Sequence, residues 1–275
     1  MIEKYKFSVL MSLYVKEKPS NLKECLESLE NQTLKASEWI IVEDGPLNNE
    51  LYQILDEYEE KYPDIVKRIS LKKNRGLGLA LREGVKHCSY ELIARMDTDD
   101  ICRKDRFEKQ VNEFENNPNL DICGSHITEF EGSCDNILCT RRVPLEDKKI
   151  KKYQRRRDGL NHVTVMFKKS SVLAAGNYQS CLLMEDTHLW ARMFINGAVA
   201  MNIDDSLVYV RVGKDMFERR GGYSYYKKYK IGRKQIYKLG YISRWDYYVT
   251  LVIQFIVTMI PNKLRALVFV KLLHR

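Results

Sequence analysis

Apolar runs of strand length alternate with segments of helical periodicity through the first third of this chain. The runs lie at Phe7–Tyr14, Trp39–Val42 and Leu92–Met96, with a weaker strand pattern at Ile65–Leu71, and apolar residues recur every three to four positions between them. Continuous apolar runs are typical of strands buried on both faces, and their alternation with amphipathic helices is typical of parallel sheets. The pattern therefore predicts an α/β fold, in which helices cover both faces of a mostly parallel sheet.

Acidic residues follow two of these predicted strands. Glu43 and Asp44 follow the second strand, and Asp97, Asp99 and Asp100 follow the fourth. Ligands of parallel sheets bind beyond the carboxyl ends of the strands, so we expect both acidic positions to face one crevice. Clustered carboxylates repel one another unless a cation lies between them, and hard oxygen ligands suit Mg²⁺ or Mn²⁺. The alternative is a solvated turn in which Asp100 caps the following helix.

Composition limits the class of protein further. The chain has 275 residues, of which 44% are hydrophobic, and this suits one large α/β domain or one such domain with an appendage. The seven cysteines are scattered and none forms a CxxC pair. We therefore expect reduced thiols in a cytoplasmic protein, with no zinc site and no disulfide framework.

The C-terminal quarter carries all of the excess positive charge. From Arg211 onward there are 15 Lys and Arg residues against three Asp and Glu, whereas the net charge of the whole chain is +9. Tyr247–Ile260 is a nearly continuous apolar run, but spanning a bilayer takes about 20 such residues. With a second apolar stretch at Leu264–Leu273, this predicts helices that lie in an anionic membrane interface. A C-terminal helix packed on the core is the alternative.

Five short segments carry a resemblance to a known family. They are Ser8–Tyr14 (SVLMSLY), Ile40–Pro46 (IIVEDGP), Asn74–Val85 (NRGLGLALREGV), Arg95–Asp100 (RMDTDD) and Met184–Met193 (MEDTHLWARM). In order and spacing they resemble family 2 glycosyltransferases of the GT-A fold, in particular bacterial enzymes of capsular polysaccharide or O-antigen synthesis. The charge and apolar pattern of the C-terminal quarter predict a basic, helical, membrane-associating segment over residues 213–275. The resemblance implies a Rossmann-like GT-A domain over residues 1–212. It also implies inverting transfer from a nucleotide-activated sugar.

The resemblance assigns the donor-site residues by position. Ser12 and Tyr14 match residues that contact the base, commonly uracil, and Asp44 matches the acidic residue that bonds it. Asn74 and Gly76 match a loop beside the nucleotide.

The acidic cluster receives two roles from the same resemblance. Asp97 matches the residue near the ribose and is a second candidate metal ligand. Asp99 matches the residue that binds Mn²⁺ or Mg²⁺. Asp100 is left as a structural residue at the start of the next helix.

The second half of the chain supplies the candidates for catalysis and acceptor binding. Asp186 matches the catalytic base and Glu185 lies beside it, although both residues could simply favour a helix N-terminus. His162 is expected either to touch the acceptor or leaving group or to be packed. Trp190 is expected either to stack on a sugar ring or to lie in the core. The basic run Lys148–Arg157 could grip a pyrophosphate or form a solvated face.

The expected activity is metal-dependent transfer from a UDP-sugar to a lipid-linked glycan, at the inner face of the bacterial plasma membrane. A dinucleotide-dependent oxidoreductase is excluded, because Leu81 occupies the third glycine position of the GxGxxG motif. A sugar nucleotidyltransferase is disfavoured by the lack of a long glycine-rich N-terminal loop. A nucleic-acid-binding protein would explain the basic tail, but it leaves the acidic crevice unexplained. We therefore expect no nucleic-acid partner.

Overall fold

A nine-stranded mixed sheet forms the centre of residues 6–213 and 221–260, the parts of the chain that this computed structural model describes. Its strands are β1 (Phe7–Leu13), β2 (Glu38–Glu43), β3 (Val66–Ser70), β4 (Leu92–Asp97), β5 (Ile101–Cys102), β6 (Leu120–Phe130), β7 (Ile137–Arg141), β8 (Met166–Lys168) and β9 (Val199–Arg211). They lie in the order β3-β2-β1-β4-β8-β6-β9-β5, and β7 pairs with β6 outside this path.

The first four strands run parallel, as their alternation with helices predicted. In the register of these strands, Ser12 of β1 lies between Val42 of β2 and Asp97 of β4. The carboxyl ends of the three strands therefore meet at one edge of the sheet. Strand β8 lies antiparallel between β4 and β6, and β6 pairs in parallel with β9.

Helices cover both faces of the sheet. They are α1 (Pro19–Glu30), α2 (Asn49–Lys61), α3 (Leu77–His87), α4 (Arg106–Asn116), α5 (Asp147–Gln154), α6 (Lys169–Ala174), α7 (Glu185–Ile195), α8 (Gly222–Lys238) and α9 (Arg244–Met259). Val9 and Met11 of β1 belong to the apolar core that includes α1, α2 and α4. Leu10, which points to the opposite face, belongs to the core that includes α3 and α7. Side-chain alternation along one buried strand thus contributes to both cores.

Two parts of the second half differ from what their apolar runs predict. The run Asn161–Phe167 predicts one strand, but it begins with a 3₁₀ turn at His162–Thr164 and only its end joins β8. The runs Val199–Ile203 and Leu207–Val212 predict two strands, but they form the single strand β9. The register of β9 against β6 shifts between Ile203 and Ser206, so the polar residues there interrupt the apolar pattern without ending the strand.

Helices α8 and α9 form a C-terminal hairpin (Gly222–Met259) that packs against α7 and the residues before it. Tyr226 and Phe255 meet edge to face across the hairpin, with ring centroids 5.2 Å apart. Ile236 and Leu251 share an apolar cluster with Met184, which directly precedes α7. The apolar stretch predicted at Leu264–Leu273 lies outside the described residues, and no helix within them is long and apolar enough to cross a bilayer.

An ion pair joins the basic run Lys148–Arg157 to the C-terminal hairpin. Arg156 Nε lies 2.6 Å from Asp246 Oδ1 at the start of α9. Arg156 therefore has a structural role, because it binds the hairpin to the rest of the fold. The division of the chain at residues 212 and 213 remains a prediction.

Candidate functional site

A cleft of about 410 Å³ opens at the carboxyl ends of β1, β2 and β4. It is lined by Ser12, Tyr14, Glu17, Asp44, Asn74, Gly76, Leu77, Asp97, Thr98 and Asp99. The structure therefore brings together every residue that the sequence assigned to the nucleotide or the metal. Glu17 and Thr98 were not anticipated, and the Thr98 hydroxyl donates to Glu17 Oε2 at 3.2 Å.

Asp44 holds one wall of this cleft in place. Its side chain is buried, and its two oxygens accept hydrogen bonds from Arg75 N at 2.6 Å and Gly76 N at 2.9 Å. Gly45 lets the loop approach closely, because a Cβ there would lie 2.6 Å from Asn74 N. Each carboxylate oxygen has a second lone pair, so Asp44 can order the loop and still accept a bond from a ligand.

The carboxylates of the acidic cluster lie closer together than separately solvated side chains would. One carboxylate oxygen from each of Asp97, Asp99 and Asp100 lies within 4.8 Å of the others. Burial raises the pKa of Asp99 to about 7, and the charges of Asp97 and Glu17 add to this effect. Burial and the charges of Asp99 and Asp97 likewise hold the pKa of Asp100 well above its ordinary value. Three hard oxygen ligands that destabilise one another as anions fit a divalent cation.

Arg95 forms an ion pair with one member of this cluster, Asp97. It is buried, and its Nη1 donates to Asp97 Oδ2 at 2.5 Å while Nη2 donates to Asp97 Oδ1. Its Nε has no hydrogen-bond partner among the residues that the structure describes. The two-pronged pair fixes the orientation of Asp97 and offsets its charge. Asp99 is consequently the member of the cluster that is best placed to be a primary metal ligand.

Asp100 is structural, but not in the way that the sequence suggested. Helix α4 begins only at Arg106, with Asp105 preceding it, so the prediction that Asp100 caps or starts this helix is wrong. Asp100 Oδ1 instead accepts a bond from Arg211 N at 2.8 Å. Arg211 Nε also donates to the carbonyl oxygen of Asp99 at 3.1 Å. Arg211, at the end of β9, thus holds the loop that contains Asp99 and Asp100 in place.

The candidate base lies in the first turn of α7. Burial raises the pKa of Asp186 to about 7, and the charge of Asp158 adds to this effect, while the N–H of Thr187 opposes it. Burial also raises the pKa of the neighbouring Glu185.

Glu185 marks where the cleft continues towards α7. It lines a cavity of about 160 Å³ that shares Gly76 and Leu77 with the main cleft. Gly78 allows this close packing, because a Cβ there would lie 2.9 Å from the Cβ of Glu185. The site therefore has one end at the strand termini and a second end at the start of α7.

Two residues predicted for the acceptor side form part of the supporting core. Trp190 has no exposed surface, so the alternative that it packs within the core is confirmed and stacking on a sugar is excluded. His162 Nε2 lies 2.8 Å from Tyr178 Oη, and its ring meets Trp190 edge to face. Burial and the charge of Arg95 keep the pKa of His162 well below its ordinary value. His162 is thus a neutral, half-buried member of this aromatic cluster.

Glu43 also has a structural role. Its carboxylate pairs with Arg68 Nε at 2.6 Å and accepts a bond from the Ser70 hydroxyl at 2.6 Å. These contacts join β2 to β3 and turn the Glu43 side chain away from the neighbouring Asp44.

Comparisons with known proteins agree with this geometry. The sequence profile described as "Glycosyl transferase family 2" matches residues 8–173. An uncharacterised glycosyltransferase of Haemophilus influenzae is 42% identical over 94% of this chain and 96% of its own length. The amylovoran biosynthesis glycosyltransferase AmsE of Erwinia amylovora is 42% identical over 85% of both chains. The UDP-Gal:alpha-D-GlcNAc-diphosphoundecaprenol beta-1,3-galactosyltransferase of Escherichia coli is 34% identical over 98% of this chain and 97% of its own.

Solved structures confirm the fold. The mannosyltransferase PcManGT from Pyrobaculum calidifontis, in complex with GDP-Man and Mn²⁺, has a TM-score of 0.64 at 14% identity, covering 90% of this chain and 69% of that one. TarS of S. aureus in complex with UDP-GlcNAc has a TM-score of 0.62 at 18% identity, covering 84% and 66%. The chain belongs to glycosyl transferase family 2 and is a glycosyltransferase with the expected GT-A fold.

Proposed function

We propose that this member of glycosyl transferase family 2 transfers a sugar, with inversion, from a UDP-sugar to a hydroxyl of a lipid-linked glycan. The observation that carries the proposal is the pair of adjoining cavities. One of them is lined by Ser12, Asp44 and members of the three-carboxylate cluster, and the other is lined by Glu185, the neighbour of Asp186. The product would be a growing surface polysaccharide, and the relative AmsE is named for amylovoran biosynthesis.

The nucleotide would bind across the ends of β1, β2 and β4. Ser12 and Tyr14 would contact the base, Asp44 would bond it, and the loop from Asn74 to Gly76 would lie beside the nucleotide. Asp97, oriented by its pair with Arg95, would face the ribose. A UDP donor is supported by the UDP-galactose in the name of the E. coli relative.

The acidic cluster would hold a divalent cation, Mn²⁺ or Mg²⁺. Asp99 is the primary ligand in this proposal, and Asp97 and Asp100 lie beside it. When bound, the cation would neutralise charge that grows on the departing diphosphate.

Asp186 would act as the general base. As the acceptor oxygen forms its bond to the anomeric carbon, the bond from that carbon to the diphosphate oxygen breaks. The hydroxyl proton passes to the Asp186 carboxylate, and the nucleoside diphosphate leaves with the bonding electron pair. A carboxyl group whose pKa lies at about 7 is well matched to proton abstraction near neutral pH.

The C-terminal hairpin would hold the enzyme on the membrane that carries the acceptor. On α9, the exposed side chains Trp245, Tyr248, Val252, Ile253, Phe255, Ile256 and Met259 form an apolar face. The neighbouring helix α8 exposes Lys227, Lys230 and Lys234. An apolar face beside lysines suits the surface of an anionic bilayer. The diphosphoundecaprenol acceptor named for the E. coli relative supports a lipid-linked acceptor.

A donor screen tests the proposed function. The purified full-length chain is incubated with a panel of UDP-, GDP- and dTDP-sugars in Mn²⁺, and release of nucleoside diphosphate is measured. We expect slow hydrolysis of one UDP-sugar that EDTA abolishes. Hydrolysis of a GDP- or dTDP-sugar alone would overturn the UDP assignment, and hydrolysis unaffected by EDTA would overturn the role of the cation.

A further inference from the structure

Asp158, which no recognised motif contains, lies beside the candidate base. The hydroxyl of Thr187 donates to Asp158 Oδ1 at 2.5 Å, and the same hydroxyl oxygen lies 3.5 Å from Asp186 Oδ1. One side chain in the first turn of α7 therefore stands between two carboxylates. Asp158 comes from the segment after α5, so the tertiary fold brings the two acids together.

The segment that carries Asp158 is held on several sides. Gln154 Nε2 donates to Asp158 Oδ1 at 3.3 Å, and Gln154 Oε1 accepts from Gly159 N at 2.7 Å. From the C-terminal hairpin, Arg233 donates to the carbonyl oxygen of Arg155. Asp158 thus occupies a fixed position beside Asp186, unlike a surface carboxylate that is free to turn into solvent.

We infer that Asp158 is a positioning residue that acts through Asp186 and makes it a stronger base for the acceptor hydroxyl. This inference rests on the proposed role of Asp186 in transfer. Before the reaction the two carboxylates repel each other, and the repulsion ends when Asp186 accepts the proton. The charge of Asp158 therefore favours proton uptake by its neighbour.

Other groups around Asp186 cannot replace this effect. Among the charges that raise its pKa, Asp158 contributes more than the adjacent Glu185, and Arg95 of β4 acts in the opposite direction. Tyr178 and Cys181, from the segment before α7, also lie within electrostatic range, but burial raises the pKa of each. Both are therefore uncharged near neutral pH, and Asp158 is the main anionic influence.

The test is a direct titration of Asp186 in the full-length protein, independent of any substrate. Aspartate labelled with ¹³C at the side-chain carboxyl is incorporated, and the Asp186 resonance is identified by its loss in Asp186→Asn. We expect a wild-type midpoint near pH 7. In Asp158→Asn the midpoint should fall by about one pH unit, the size expected for loss of a neighbouring like charge.

Matched variants separate the effect of the Asp158 charge from a general disturbance of the structure. Asp158→Glu keeps the charge and should restore most of the midpoint, and Asp64→Asn removes an exposed, distant carboxylate and should leave it unchanged. If Asp158→Asn does not fold, Asp158→Ser serves as the second neutral variant, with the same expected fall. An unchanged Asp186 midpoint in the folded neutral variant overturns the inference. The role of Asp186 in transfer is judged separately, by turnover of Asp186→Asn.

Discussion

Individual carboxylates in this enzyme differ because their surroundings differ. Asp97 is paired with Arg95 and Asp100 is tied to Arg211, whereas burial and the charge of Asp97 raise the pKa of Asp99 to about 7, a shift that a bound cation would oppose. Residue type alone would make these three aspartates equivalent. Their hydrogen-bond partners make one a positioning group, one a structural tie and one a metal ligand in the proposed mechanism.

Removal of the Asp99 carboxylate tests this division. Asp99→Asn should weaken UDP binding in Mn²⁺ by about tenfold or more, because a principal oxygen ligand loses its charge. Isothermal titration calorimetry measures the effect, with Asp64→Asn as a control for loss of a distant carboxylate. Equal UDP affinity in the variant, or equal wild-type affinity in EDTA, would contradict the metal assignment.

Asp186 should also lower the stability of the folded protein at alkaline pH. Its pKa is raised from 3.8 to about 7 on folding, so between these values the folded chain holds a proton that the unfolded chain has released. Stability therefore falls as pH rises through this window and stays lower above it. Asp186→Asn should accordingly stabilise the protein more at about pH 8 than at about pH 5.

Urea unfolding in EDTA, followed by circular dichroism, measures that difference. Asp64→Asn should show no such dependence on pH, because Asp64 is exposed. If Asp186→Asn raised the free energy of unfolding equally at both pH values, the pKa of Asp186 would not shift on folding.

At the scale of elements, helix α3 depends on a glycine where it crosses the sheet. A Cβ on Gly84 would lie 2.2 Å from Leu10 Cδ1 and 2.8 Å from Val42 Cγ2. Gly84→Ala should therefore destabilise the protein by about 1–3 kcal/mol through overpacking, although alanine is the better helix former. The control is Gly213→Ala, where a Cβ meets nothing within 4 Å. Chemical denaturation checks both, and an unchanged Gly84→Ala variant would contradict the close packing.

The exposed face of α9 makes a second prediction at this scale. The double substitution Val252→Glu and Ile256→Glu should abolish co-sedimentation with anionic liposomes in low salt, because it places two charges in the apolar face. Ile137→Glu alters a similarly exposed apolar residue on β7 and should leave co-sedimentation intact. Equal binding by the double variant would contradict docking through α9, and loss of binding in Ile137→Glu would point to a different surface.

Three of the four parallel strands were predictable because each is a nearly continuous apolar run, whereas β3 contains Lys67 and Arg68 and gave a weaker pattern. Strand β9 was harder to predict. The polar residues between Ile203 and Ser206 suggest a break between two strands, but they lie in an irregular part of one strand. The Arg95–Asp97 pair could have been found, because residues two apart on a strand share a face. The contact of Arg211 with Asp100 could not have been found, since it joins segments that only the tertiary fold brings together.

At the scale of the whole molecule, the two halves of the chain contribute different parts of the candidate site. In the proposed mechanism, the ends of the parallel strands would bind the nucleotide and the metal, and α7 would supply the base. The C-terminal hairpin packs beside α7 and holds the segment that contains Asp158. Under the proposed function, this arrangement would place a lipid-linked acceptor near the candidate base.

The most direct test of the central claim compares binding and turnover in Asp186→Asn. With the UDP-sugar found in the donor screen, donor binding in Mn²⁺ is measured by calorimetry and turnover by release of UDP. We predict donor affinity close to wild type and a loss of turnover of about 10²–10⁴-fold, the usual contribution of a general base. Near-normal turnover in a variant that binds donor normally would contradict the assignment of Asp186 as the base.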